Sequence, residues 1–206
     1  MELSALTALS PIDGRYHKTT QLLAPYFSEY ALIKYRLRVE VEYFIMLAEK
    51  KFFKLESKTK LSLRKLVVDF SLDDAQQIKQ TEAVTNHDVK AVEYFLKEKL
   101  QAFGVTDSIE WVHFGLTSQD INNTAIPMLW KDAIEQEYLP AVINWQMHIL
   151  DLAKKWKDIP MLARTHGQPA SPTRLGKELM VFEVRIEQQI HLFSYIPFTA
   201  QFGDAT

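Results

Sequence analysis

The sequence predicts an all-α protein, and three observations predict it. Apolar residues return at spacings of three and four along most of the chain, the period of an amphipathic helix. No stretch alternates apolar and polar residues in the manner of a half-buried strand. A long run from Ser118 to Asp158 carries few helix breakers. With 206 residues, 47% of them hydrophobic, the chain has the material for a real core, enough for one large domain or two smaller ones.

The elements follow in order. Ile33, Leu37, Val41, Phe44, Ala48 and Phe52 form one apolar stripe, so a helix is expected over roughly 31 to 53. Leu63, Leu66, Val67 and Phe70 repeat the pattern after Ser57, an expected N-cap. Val89, Val92, Leu96, Leu100 and Phe103 repeat it again before Gly104. These helices are expected to make a small N-terminal domain, residues 1–106. From about 107 the texture changes. Val142, Trp145, Ile149, Leu152 and Trp156 form a seam suited to near-parallel helix packing, so 107–206 reads as the first part of a long-helix bundle. Pro127 and Pro140 each remove a backbone donor there and are expected to kink or interrupt the helix. A loop rich in Pro and Gly is expected over 159–173. Another bundle helix follows, marked by Leu175, Leu179, Phe182, Ile186, Ile190 and Phe193 and capped by Ser171 with Pro172 at its first position.

Composition narrows the function. Lys plus Arg number 24 and Asp plus Glu 26, a net charge of −2, which argues against an obligatory nucleic-acid or anionic-membrane partner and leaves small anionic substrates open. The absence of cysteine excludes disulfides and thiolate metal sites and suits a reducing compartment, so the cytoplasm is expected. The first residues lack the basic and apolar regions of a secretory signal, and charges interrupt every apolar stretch before it reaches membrane-spanning length.

Three polar clusters sit at the ends of expected helices, where orphan backbone donors attract anions. In TNHDVKAVEYFLKEK, residues 85–99, Asn86, His87 and Asp88 directly precede a periodic helix; the plain alternative is that Asn86 or Asp88 caps it. In HFGLTSQDINN, residues 113–123, Thr117 and Ser118 offer hydroxyls to a carboxylate or phosphate; the alternative is a cap at Ser118 or Asp120. In RTHGQPASPT, residues 164–173, His166 is a loop imidazole among prolines, suited to exchanging protons near neutral pH, against the alternative of a structural histidine. His17, His113, His148 and His191 read as structural or surface residues. His87 and His166 have no carboxylate or imidazole at a metal-ligand helical spacing such as i, i+4, so no metal site is expected. No cofactor is expected either.

Together these segments resemble the fumarase and aspartase superfamily, whose members eliminate fumarate from substituted succinates, and within it the adenylosuccinate lyase family. HFGLTSQDINN is similar to the superfamily's first signature region and RTHGQPASPT to its second. SPIDGRY, residues 10–16, and TNHDVKAVEYFLKEK are similar to the family's nucleotide-handling segments. The resemblance runs from residue 1 to 206. The THGQP element alone points only to the superfamily, whereas the four segments together are specific.

The resemblance implies a carbon–nitrogen lyase of purine nucleotide synthesis. Such an enzyme releases fumarate from adenylosuccinate to give AMP, and from succinylaminoimidazole carboxamide ribotide. It implies that Arg15 and Tyr16 contact phosphate or nucleotide, that Asn86, His87 and Asp88 form a second binding segment, and that Thr117 and Ser118 hold the succinyl group. It further implies that His166 is the catalytic acid, that a serine on a later mobile loop is the base, and that the enzyme is a homotetramer with composite active sites. A solvated N-terminal turn is the alternative for Arg15 and Tyr16. The superfamily's third signature, a Gly- and Ser-rich loop with a Met-Pro and a following Lys, does not occur in these residues. This chain is therefore expected to be the N-terminal part of a longer enzyme and to be inactive alone. Two rival readings remain at this point: another fumarate-releasing lyase, such as one acting on argininosuccinate, and a non-catalytic helical oligomerisation scaffold.

Overall fold

Helix α3, Glu29–Glu49, is the axis on which the N-terminal part is built. Ser28 opens it by accepting the Ala31 N–H on its hydroxyl. Helices α1, His17–Thr20, and α2, Ala24–Phe27, are single turns before it. Helices α4, Ser57–Val68, α5, Leu72–Thr85, and α6, Asp88–Ala102, follow. In this computed structural model residues 4–201 and 203 are described.

Helix α3 is buried on two sides, which is why its apolar residues spread beyond one stripe. Ile33, Leu37, Val41, Phe44 and Ile45 pack with Leu63 of α4, Ile78 of α5 and Val92, Phe95, Leu96 and Leu100 of α6. Ala31, Tyr35 and Val39 pack instead with Val89 of α6 and with Ile121, Ala125 and Leu129 of α7, Ser118–Ala133. Each large side chain removed from water here contributes about 1.5–3 kcal/mol. The expected helices exist with shifted ends: α3 stops at Glu49 because Lys51 adopts positive φ, and Ser57 is the first residue of α4, with Glu56 at the cap position.

Residues from Ser118 to Lys155 are helical throughout. Pro127 lies inside α7, and a π-helical turn, Ile134–Tyr138, precedes α8, Leu139–Lys155. Pro140 follows this π turn, whose wider winding makes room for the ring. Neither proline breaks the helix.

The stretch expected as a loop over 159–173 is instead an antiparallel hairpin, β1, Pro160–Thr165, with β2, Gln168–Arg174. Thr165 pairs with Gln168, so the connection is the two residues His166 and Gly167, both at positive φ (49° and 77°), as a type I′ turn requires. Pairing shifts between Leu162–Pro172 and Arg164–Pro169, leaving Ala170 and Ser171 opposite Ala163, a bulge. The prolines are accommodated because a two-stranded ribbon is all edge. Helix α9, Leu175–Phe193, begins after Arg174, so Ser171 and Pro172 belong to the strand and cap nothing. Thr173 instead donates to Glu178 of the first turn, 2.8 Å.

By packing, the chain divides into Met1–Asp132 with Phe198–Thr206, and Ala133–Pro197. This grouping differs from a division at 106/107 because Val112 and α7 pack on the N-terminal helices. In the second unit α8 and α9 pack closely: Gly176 sits where any Cβ would collide with the Ala153 carbonyl. Their outer faces leave Trp145 59% and Phe182 56% exposed.

Candidate active site

The backbone marks the polar clusters independently of their side chains. Among the described residues the non-glycine positions at positive φ are Lys51, Asn86, His113 and His166. Three of these four fall inside the clusters selected from sequence. Such conformations cost on the order of 1 kcal/mol or more and persist where surrounding structure imposes them.

Asn86 takes its left-handed conformation (φ 53°, ψ 31°) as the C-cap of α5, and its N–H donates to the Glu82 carbonyl. His87 then switches to extended backbone and becomes the N-cap of α6. The expected alternative, a cap at Asn86 or Asp88, is corrected: the imidazole itself is the cap, Nδ1 accepting the Lys90 N–H at 3.2 Å. A neutral imidazole accepting at Nδ1 carries its proton on Nε2. That Nε2 lies 3.3 Å from Ser118 Oγ. Asp88 accepts the Val89 N–H on one oxygen and pairs through the other with Arg36 Nη2 at 2.7 Å. Burial pushes the Asp88 carboxyl up, but the Val89 N–H and the Arg36 guanidinium outweigh it and hold the group below its ordinary value.

Thr117 and Asp120 form the reciprocal cap of α7. Asp120 Oδ2 accepts the Thr117 N–H at 2.8 Å, and the Asp120 N–H reaches Thr117 Oγ1 at 3.4 Å. The cap is therefore Thr117, not Ser118 or Asp120, and the Thr117 hydroxyl also donates to Asp120. Ser118, first residue of α7, is left with its hydroxyl toward His87. The buried Asp120 carboxylate also accepts the Gly203 N–H at 2.7 Å.

The first residue of this cluster, His113, is not a peripheral residue. It is largely buried, and Nδ1 meets Glu40 Oε1 at 2.5 Å while Nε2 lies 3.7 Å from Glu93, itself paired with Lys90. Burial pulls the imidazole down, but the Glu40 carboxylate, with Glu93, raises it above the ordinary histidine value. Burial raises the Glu40 carboxyl, whose second oxygen has no hydrogen-bond partner among the described residues. Arg36 and Glu40 are not among the candidates read from sequence, although charge at core positions of α3 marks them: Arg36 stands beside Leu37 and Glu40 beside Val41 in the apolar stripe.

Three expected residues, Arg15, Tyr16 and His166, lie elsewhere. Arg15 lines a cavity with Ala5, Leu9, Asp13 and Lys18 on the N-terminal turn, and its guanidinium carbon stands 5.5 Å from the Tyr16 ring centroid. His166 belongs to the second unit, exposed at the hairpin tip. The pairing of Thr165 with Gln168 closes the turn that carries it. Among the described residues no three His, Asp or Glu converge as a metal site, and no helix is long and apolar enough to cross a membrane.

A family model described as "Lyase" matches residues 14–197. The chain belongs to this lyase family. Over its whole length the chain is 52% identical to an adenylosuccinate lyase from Dictyostelium discoideum and 41% identical to one from Escherichia coli. It spans 46% of the length of each. Among solved structures, a fumarate lyase from Mesorhizobium superposes with TM-score 0.67 at 18% identity, over 90% of this chain and 42% of that one. A β-carboxy-cis,cis-muconate cycloisomerase from Acinetobacter calcoaceticus gives 0.64 at 22%, over 90% and 43%. These last two likenesses concern the fold alone.

Proposed function

We propose that the protein carrying this chain is an adenylosuccinate lyase, cleaving adenylosuccinate to AMP and fumarate and acting likewise on succinylaminoimidazole carboxamide ribotide. The observation that carries this reading is the match of the entire chain to curated adenylosuccinate lyases at 41–52% identity. The arrangement of His87, Thr117 and Ser118 supports it, since imidazole N–H, hydroxyl and the positive end of α7 suit an anionic substrate.

The chemistry assigns the parts. A base removes the proton from the carbon next to the carboxylate, the electron pair forms the fumarate double bond, and the C–N bond breaks. His166 gives its proton to the departing nitrogen, a poor leaving group when unprotonated. Negative charge grows on the carboxylate as the proton leaves, and Thr117 and Ser118 meet it with donors already in place. Asn86, His87 and Asp88 bind and orient the substrate, and Arg15 with Tyr16 takes the phosphate, for which a guanidinium is well shaped. The base comes from outside these residues, so this chain alone releases no fumarate. The protein works in the cytoplasm as a homotetramer without a cofactor, and the exposed apolar faces of α8 and α9 favour assembly.

Fumarate release by the full-length protein from adenylosuccinate, set beside argininosuccinate, tests the reading. Turnover of adenylosuccinate is expected. Preference for argininosuccinate, or no turnover of either, overturns it.

A further inference from the structure

The site's two clusters come from different helices, and what joins them is a side chain of a third. Arg36, in the middle of α3, is 5% exposed. Its Nη2 meets Asp88 Oδ2 at 2.7 Å and its Nε donates to Asn122 Oδ1 at 2.9 Å. Nε and Nη2 form one edge of the planar guanidinium, so a single rigid edge fixes both partners. Asp88 directly follows His87, and Asn122 lies one helical turn beyond Ser118 on the same face of α7. The two members of the His87–Ser118 contact are thus each one step from a partner of the same guanidinium.

We infer that Arg36 is a positioning residue: by clamping Asp88 and Asn122 it sets the separation and mutual orientation of His87 and Ser118. Burying a cation here is costly, and an apolar residue of that size in the core of α3 serves stability at least as well. A lysine at 36 keeps the charge yet cannot reproduce the edge, because a lone Nζ reaches either partner without orienting both. The inference rests on the lyase reading and adds to it a residue that touches neither substrate nor reacting atoms.

The test is a double-mutant cycle in the full-length protein, read as kcat/KM for fumarate release from adenylosuccinate, with R36K, H87A and the pair. If Arg36 acts through His87, R36K costs about 10-fold or more in the wild-type background and less than about threefold once His87 is alanine. Equal losses in both backgrounds overturn the positioning role while leaving the lyase reading intact. A wild-type protein that releases no fumarate overturns both. Should R36K fail to unfold cooperatively, N122A, which removes one arm of the clamp and leaves the ion pair, replaces it under the same criterion.

Discussion

His87 Nε2 and Ser118 Oγ stand 3.3 Å apart although 31 residues separate them, one capping α6 and the other opening α7. In the proposed lyase reading the two groups, in contact at the heads of two helices, work as a unit. His87→Ala and Ser118→Ala are each expected to lower kcat/KM for adenylosuccinate in the full-length protein by about 10–100-fold, and the double variant by less than the product. Steady-state kinetics on the four proteins check this; fully multiplicative losses mean that the two groups work independently.

His166 can be tested without disturbing its turn. Asparagine followed by glycine is a favoured pair for a type I′ connection, so His166→Asn keeps the hairpin while removing the imidazole. Turnover is expected to fall by about 10²–10⁴-fold with the melting temperature unchanged. Near-normal turnover by a folded H166N protein removes His166 from the reaction.

The Glu40–His113 pair predicts how stability varies with pH. Burial opposes the charged imidazole, yet Glu40 and Glu93 raise His113 above the ordinary histidine value. A group raised on folding contributes fully below its unfolded value, and the contribution is lost as pH climbs through the folded one. Glu40, raised by burial, loses stability in the same direction. Denaturation midpoints are expected to fall as pH rises through and above the ordinary histidine range, and His113→Gln is expected to flatten that step. An unchanged profile in H113Q places the pH dependence elsewhere.

Gly176 reports on the second unit. A methyl there meets the Ala153 carbonyl and the Lys157 backbone, neither able to move aside like a flexible side chain. Gly176→Ala is expected to cost about 1–3 kcal/mol, lowering the melting temperature by about 2–4 °C per kcal/mol. Thermal unfolding followed by circular dichroism checks it, and no change in the midpoint means that α8 and α9 are free to part.

The pattern of what could be read in advance follows from range. An apolar stripe such as Ile33, Leu37, Val41 and Phe44 is a record of one helix's own period, and helix hydrogen bonds close within four residues, so the α class and most elements are written locally. The three clusters could be found because each sets a histidine beside Asn, Asp, Ser or Thr at an expected helix end or loop. The hairpin could not. Three prolines in 160–172 argue against strands by propensity, and only pairing along an unflanked ribbon makes them harmless.

The sequence by itself determined a helical lyase-family chain and the segments bearing its polar groups, since both are carried by neighbouring residues. Tertiary structure alone decided that His87 faces Ser118, that His113 is buried against Glu40, and that Arg36 bridges to Asn122, 86 positions away. Those contacts depend on how helices cross and rotate, which arises from the whole core at once, and no local pattern of side chains encodes it.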